Sequence, residues 1–168
     1  IFALSSGAPP AGIAVIRVSG HESAAALLAL AGRLPAPRLA SLALLSDPQD
    51  GVPLDRALLL WLPGPGTVTG EDMVELHCHG GRAVIAAVEA ALAAMPGLRR
   101  AEAGEFTRRA FANGKMDLNA VEGLSDLLAA ETQQQRRAAL MMAEGHFSQR
   151  IDGWRRDLLD LSAMAEAA

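Results

Sequence analysis

GIAVIRV, residues 12–18, sets the expected fold class, because it is β-branched and apolar on both faces. Such a run is typical of a strand that is buried on both sides of a sheet. Arg17 lies inside it, and burying an arginine without a partner is expensive. The run therefore predicts a buried strand in which Arg17 meets a carboxylate, a cluster of carbonyls or an anionic ligand.

Strand and helix patterns alternate on both sides of this strand up to residue 117. Ser19 is predicted to cap a helix from His21 to Ala31, which Gly32 ends. The other predicted elements are strands at residues 39–45 and 56–62, a strand at 71–79, a helix at 82–95, a short strand near 98–101 and a helix near 105–112. This part of the chain is predicted to be an α+β domain.

In the strand predicted at residues 71–79, apolar and polar side chains alternate from Val74 to His79. Val74, Leu76 and Cys78 are predicted on one face, and Glu75, His77 and His79 on the other. His77 and His79 therefore share a face that Cys78 does not, so the three do not form a metal site, and His77 is badly placed to activate the thiol. We expect Cys78 in the core and no metal ligands or catalytic nucleophile here.

From Asp117 onward the pattern is helical only. The first apolar stripe comprises Leu118, Val121, Leu124 and Leu128, and the second comprises Leu140, Phe147, Ile151, Trp154, Leu158 and Leu161. The second stripe predicts a long amphipathic helix from Gly145 to Ala165 that needs a partner. We expect a domain at residues 1–117, the start of an all-helical domain at 118–168, and a chain that is a fragment of a longer protein.

Composition excludes several classes of protein. The 168 residues are 51% apolar and 20% charged, with a net charge of -4, which indicates a folded chain without a polybasic nucleic-acid arm. Apolar runs are too short for a membrane span, and Cys78 has no second cysteine to pair with. These features predict a cytoplasmic protein.

Nucleotide-binding loops are missing from the sequence. Gly64, Gly66 and Gly70 lack the phosphate-loop spacing and the following Lys–Ser/Thr, and no GxGxxG opens a helix after a strand. This stretch alone is not expected to bind GTP, ATP or NAD.

Arg17, Glu75 and Lys115 remain as polar residues in unusual places. Glu75 lies on the polar face of its strand, and Lys115, the only lysine, follows an Asn-Gly helix stop. Together they are suited to a ligand with an anionic part and a donor-rich heterocycle. The alternative is that Arg17 and Glu75 form a structural ion pair and Lys115 is a solvated loop residue.

Four segments in order resemble the N-terminal region of the tRNA-modification GTPase family MnmE, also called TrmE. They are PPAGIAVIRVSG at 9–20, PGPGTVTGEDMVELHCHGG at 63–81, AGEFTRRAFANGKMDLNAVEGLSDLLAAET at 103–132 and ALMMAEGHFSQR at 139–150. The resemblance implies a folate-binding domain, similar in fold to the aminomethyltransferase of glycine cleavage, that also forms a homodimer. It implies 5-formyltetrahydrofolate or 5,10-methylenetetrahydrofolate as ligand, held by Arg17, Glu75 and Lys115.

The same resemblance implies a role for the full-length protein. Together with the flavoprotein MnmG it would add an aminomethyl or carboxymethylaminomethyl group at C5 of the wobble uridine (U34) of tRNA. GTP hydrolysis, with its magnesium and potassium ions, would belong to a module outside these residues, so this part alone would not be catalytic. The alternatives are a pure dimerisation module without folate and a free-standing folate-dependent aminomethyltransferase-like protein.

Overall fold

A computed structural model describes residues 1–166 and divides the chain into two compact units, Ile1–Arg109 and the residues from Ala110 onward. The strands are β1 (Phe2–Leu4), β2 (Ala11–Ser19), β3 (Ser41–Ser46), β4 (Pro53–Leu62) and β5 (Met73–Gly80). The helices are α1 (Ser23–Ala31), α2 (Arg82–Ala93), α3 (Glu105–Ala112), α4 (Leu118–Ala129), α5 (Gln133–Ala143) and α6 (His146–Glu166). The predicted mixture of sheet and helix is confirmed, whereas the domain boundary at residue 117 stays a prediction.

The first unit is built on one antiparallel sheet with the strand order β1-β2-β5-β4-β3. Neighbouring strands align Ile16, Leu76 and Leu59 across its middle, and all three side chains are fully buried. Helices α1 and α2 pack on this face, with Leu27 and Leu92 in the same core cluster. The core of this unit therefore lies between one sheet face and two helices.

The opposite face of the sheet is open at several apolar side chains. Ile13 on β2 is 62% exposed, and Leu42 and Leu44 on the edge strand β3 are 55% and 47% exposed. The prediction that β2 is buried on both sides is thus wrong, because α1 and α2 pack against only one face of the sheet. We call this surface the open sheet face.

Two local predictions around Ser19 and residue 100 are also wrong. Ser19 ends β2 instead of capping a helix, and α1 starts at Ser23 with Glu22 in the N-cap position. Gly20, with φ +119°, makes the turn between them. Instead of the expected strand near 98–101, the structure has a single β-bridge between Arg100 and Phe2 of β1. β1 itself has only three residues, too few for a periodic pattern to be recognised in the sequence.

The second unit contains helices joined by short turns and no strand among its described residues, as predicted from Asp117 onward. Asp117 caps α4 by accepting a hydrogen bond from the Ala120 amide at 2.8 Å, and Thr132 forms a capping box at the start of α5. The long helix predicted from Gly145 is confirmed as α6. Its apolar stripe remains exposed, with Trp154 56% exposed.

Helices α4 and α5 approach each other closely at Gly123. A Cβ built on Gly123 would lie 2.6 Å from the Met142 Cβ and 2.8 Å from the Met142 carbonyl carbon. Such distances are far below van der Waals contact, so only glycine fits this crossing. The packing of α4 against α5 thus depends on one residue without a side chain.

Candidate functional site

Arg17, Glu75 and His77 form a polar cluster on the open sheet face. The register pairs Arg17 of β2 directly with Glu75 of β5, so the two side chains point to the same side. Arg17 donates from Nε and Nη2 to Glu75 Oε1 at 3.0 and 2.7 Å. His77, two residues along β5, lies with its Nε2 at 3.2 Å from Glu75 Oε2. We call these residues the Arg17–Glu75–His77 cluster.

Glu75 is held in its ionised form. Its side chain is only 17% exposed, and desolvation by itself would raise the pKa of this carboxyl. The hydrogen bonds from Arg17 and His77, together with their charges, outweigh desolvation and lower the pKa of Glu75 below its usual value. The cluster therefore presents a fixed carboxylate at neutral pH, able to accept hydrogen bonds from a ligand.

Apolar side chains border the cluster on both neighbouring strands. The register places Val15 of β2 and Leu58 of β4 beside His77, and Leu60 of β4 beside Glu75. Leu58 is 38% exposed, whereas Val15 and Leu60 are half-buried. A carboxylate set among apolar side chains on a sheet suits a flat heterocycle that has one polar edge.

The three residues predicted for a ligand fall in different parts of the structure. Arg17 and Glu75 are brought together, although they lie 58 residues apart in the chain. Lys115 belongs to the second unit, where it is exposed and its amide donates to the Ala110 carbonyl at 2.8 Å. The contact between Arg17 and Glu75 is equally compatible with the structural ion pair that the sequence left open.

A second polar network, unrecognised in the sequence, lies at the end of β2. The Ser19 hydroxyl is 2.7 Å from the Thr69 hydroxyl and donates to Glu71 Oε2 at 2.8 Å. Arg109 of α3 donates from Nη1 to both oxygens of Glu71 and from Nη2 to Glu105 at 3.1 Å. Only the Glu105–Arg109 contact of this network could have been predicted from the sequence, because residues four apart on a helix lie on the same face.

Further hydrogen bonds hold residues 63–72, the segment between β4 and β5. Thr67 donates from its hydroxyl to the Glu71 carbonyl at 2.6 Å, and the Gly64 amide donates to Asp72 Oδ1 at 2.8 Å. Arg38 donates to the Gly66 carbonyl at 2.9 Å from outside the segment. Residues 63–72 are therefore an ordered loop, with Val68 57% exposed.

His79 makes a separate pair with Asp55 at the far end of β5. Asp55 Oδ2 accepts from the His79 amide and Oδ1 lies near His79 Nδ1, both at 2.7 Å. Desolvation would raise the pKa of Asp55, but the hydrogen bonds from His79 outweigh it, so the pKa of Asp55 lies below its usual value. This pair joins β4 to β5.

We expect Asp55→Asn to lower the free energy of unfolding by about 1.5 kcal/mol at pH 7, because an amide oxygen is a weaker acceptor than a carboxylate. A lowered folded-state pKa stabilises the fold above the unfolded value, and that stabilisation is lost as pH falls through the folded value. The difference between variant and wild type should therefore shrink towards pH 3. Urea unfolding at both pH values measures it, and an equal difference at both would contradict the charged role of Asp55.

Cys78 lies in the core, as predicted. Its side chain is 2% exposed, and burial raises the pKa of the Cys78 thiol to about 12, with a smaller contribution from the Asp55 charge. Within residues 1–166, no group of three or more His, Cys, Asp or Glu side chains is arranged to hold a metal ion. In the same range, no helix has both the length and the apolar character needed to cross a membrane.

The sequence matches a known family model and several curated proteins. Residues 1–115 match the family model described as "GTP-binding protein TrmE N-terminus". The tRNA modification GTPase MnmE of Novosphingobium aromaticivorans is 68% identical over 168 residues, which are all of this chain and 38% of that protein. The protein of the same name from Sphingopyxis alaskensis is 68% identical over 152 residues, 90% of this chain and 36% of its own length.

A human relative is nearly as similar. The mitochondrial protein named 5-taurinomethyluridine-(tRNA) synthase subunit is 58% identical over 169 aligned residues, which cover 99% of this chain and 34% of that protein. The chain therefore spans little more than a third of the length of the curated relatives that it matches.

Proposed function

The chain belongs to the TrmE N-terminal family of the tRNA modification GTPases, and from this premise we propose that it binds a reduced folate at the Arg17–Glu75–His77 cluster. The observation that carries the proposal is the Glu75 carboxylate, held by Arg17 on an open, partly apolar sheet face. The ligand would be 5-formyltetrahydrofolate or 5,10-methylenetetrahydrofolate.

The chemistry of the ligand matches the cluster. A pterin ring carries an amide N–H beside an amino group, and both donate, so a carboxylate is the natural acceptor for this edge. The apolar neighbours Val15, Leu58 and Leu60 would contact the ring faces, whereas the glutamyl tail is anionic and suits a cation such as Lys115. The residues of this chain would bind and orient the one-carbon group.

For the full-length protein we propose the activity named in its relatives. A GTPase module outside these 168 residues would hydrolyse GTP with magnesium and potassium ions, because the phosphate-loop spacing is missing from this sequence. With MnmG as partner, the protein would add an aminomethyl or carboxymethylaminomethyl group at C5 of the wobble uridine of tRNA in the cytoplasm. This stretch alone would supply the folate site and no catalysis.

We also propose that the first unit forms a homodimer. Ile13, Leu42, Leu44 and Leu58 leave apolar surface exposed on the open sheet face, and such surface is typical of a protein interface. This observation equally favours the second candidate, a pure assembly module in which no folate binds. Titration with folate separates the two candidates, because only the first predicts a saturable site.

Calorimetric titration of the purified protein with 5-formyltetrahydrofolate tests the proposal. We expect saturable binding at one site per chain, and about tenfold weaker binding by Lys115→Ala, since one charge-assisted hydrogen bond contributes about 1.5 kcal/mol. Arg137→Ala removes another exposed cation of the second unit and should bind like wild type. A folded dimer without saturable binding would contradict the folate site and leave the assembly module.

A further inference from the structure

Glu75 has few acceptor positions left for a ligand. The two oxygens of a carboxylate offer about four lone-pair positions between them. Arg17 uses two of these on Oε1, through Nε at 3.0 Å and Nη2 at 2.7 Å. His77 uses one on Oε2, through Nε2 at 3.2 Å. About one position therefore stays open, and it lies on Oε2.

A ligand edge with two adjacent donors needs two positions. One existing hydrogen bond to Glu75 must then break. Arg17 makes two charge-assisted bonds from a single planar group, an arrangement that is strong and geometrically fixed. His77 makes a single, longer contact, so it is the weaker competitor for the carboxylate.

Building on the folate site proposed above, we propose that His77 competes with the ligand for Glu75 Oε2, so that the imidazole has to leave this oxygen before a two-donor edge can bind. In the free protein His77 is a positioning residue that orients the carboxylate. In the bound protein the ligand, instead of His77, donates to Glu75 Oε2.

The competition depends on the charge of His77. A neutral imidazole with its proton on Nε2 donates one ordinary hydrogen bond, whereas a protonated imidazole adds the attraction between opposite charges. Protonation therefore stabilises the free protein, in which His77 contacts Glu75. Ligand binding should weaken as pH falls and strengthen as pH rises through the range in which imidazoles titrate.

The surroundings of His77 single out Glu75 as its contact. Across the strands its neighbours are the apolar Val15 on β2 and Leu58 on β4. The charged and titratable groups on this face are Glu75 and His79 on β5, Arg17 on β2, and Arg56, which alternates with Leu58 and Leu60 on β4. His79 has its own partner in Asp55, with Nδ1 at 2.7 Å from Oδ1.

Dissociation constants for 5-formyltetrahydrofolate at pH 6 and pH 8 test the competition in wild type, His77→Gln and His77→Leu. We expect about fourfold tighter binding at pH 8 than at pH 6 in wild type, because a neutral imidazole competes less strongly for Glu75 Oε2 than a protonated one. Glutamine keeps a neutral donor and cannot be protonated, so its affinity should match wild type at pH 8 and lose the dependence on pH. Leucine has no donor and should bind at least as tightly as wild type at pH 8.

Two results would overturn the competition while leaving the folate site intact. One is a fourfold pH effect that persists in His77→Gln, since another group would then cause it. The other is weaker binding by His77→Leu at pH 8, since His77 would then support the ligand. If wild type shows no saturable binding at either pH, the folate site itself fails and the competition fails with it.

Discussion

Glu75→Gln is expected to weaken the binding of 5-formyltetrahydrofolate about 100-fold, although the side chain keeps its size. The Glu75 carboxylate accepts from Arg17 on Oε1 and keeps Oε2 for the two donors of the pterin edge, whereas a glutamine side chain has one oxygen to share between Arg17 and the ligand and an NH₂ group that itself donates. Two hydrogen bonds to a charged group contribute about 1.5 kcal/mol each at least, and about 2.7 kcal/mol corresponds to 100-fold. Calorimetric titration at pH 8 measures the loss.

Glu102→Gln is the matched control for this substitution. Glu102 is an exposed glutamate of the same unit, paired with Arg108 at 2.7 Å and 69% exposed at its side chain. It should bind folate like wild type. If Glu75→Gln stays folded and binds within threefold of wild type, Glu75 does not contact the ligand, and the Arg17–Glu75 pair is structural only.

Gly123→Leu is expected to lower the free energy of unfolding of the helical unit by about 3 kcal/mol. The new side chain would start from a Cβ only 2.8 Å from a backbone atom of Met142, and a backbone atom cannot swing away as a flexible side chain can. Overpacking of this kind typically costs about 1–3 kcal/mol. Urea unfolding followed by the helical circular dichroism signal measures the change.

Gly153→Leu exchanges the same two residue types and is expected to raise the free energy of unfolding instead of lowering it. Gly153 lies inside α6. Apart from its chain neighbours and the nearby backbone of α6, no atom of the described residues comes within 4 Å of a Cβ built on Gly153. Leucine is a better helix former than glycine by about 0.8 kcal/mol, so this substitution should stabilise the helix. If both substitutions lowered the free energy of unfolding equally, the loss at Gly123 would not come from the close approach of α4 to α5.

Patterns that repeat over several residues were enough to predict most elements of the fold. The alternation of Val74, Leu76 and Cys78 located β5 and its core face, because the buried side chains follow the two-residue period of a strand. β1 was missed because three residues contain no period to detect. The open side of β2 was missed because apolar composition does not tell which face receives the helices.

Arg17 and Glu75 of the Arg17–Glu75–His77 cluster were singled out in the sequence, whereas the contacts within the cluster were not predictable. Arg17 and Glu75 each stood out as a charge on a buried or polar strand face, but the register between β2 and β5 joins residues 58 positions apart. His77 shares its face with Glu75 at the two-residue spacing, and that spacing was the available hint of their contact. The Glu71–Arg109 bond joins two segments 38 residues apart and leaves no local pattern.

The edge position of β3 bears on aggregation. An edge strand offers unpaired amide and carbonyl groups to which a foreign strand can add, and the exposed Leu42 and Leu44 would strengthen such an attachment. Arg33 occupies part of this edge, since its Nη2 donates to the Leu42 carbonyl at 3.0 Å and to the Ser41 hydroxyl at 2.9 Å. A positively charged group held on the edge thus discourages the growth of the sheet from one molecule into the next.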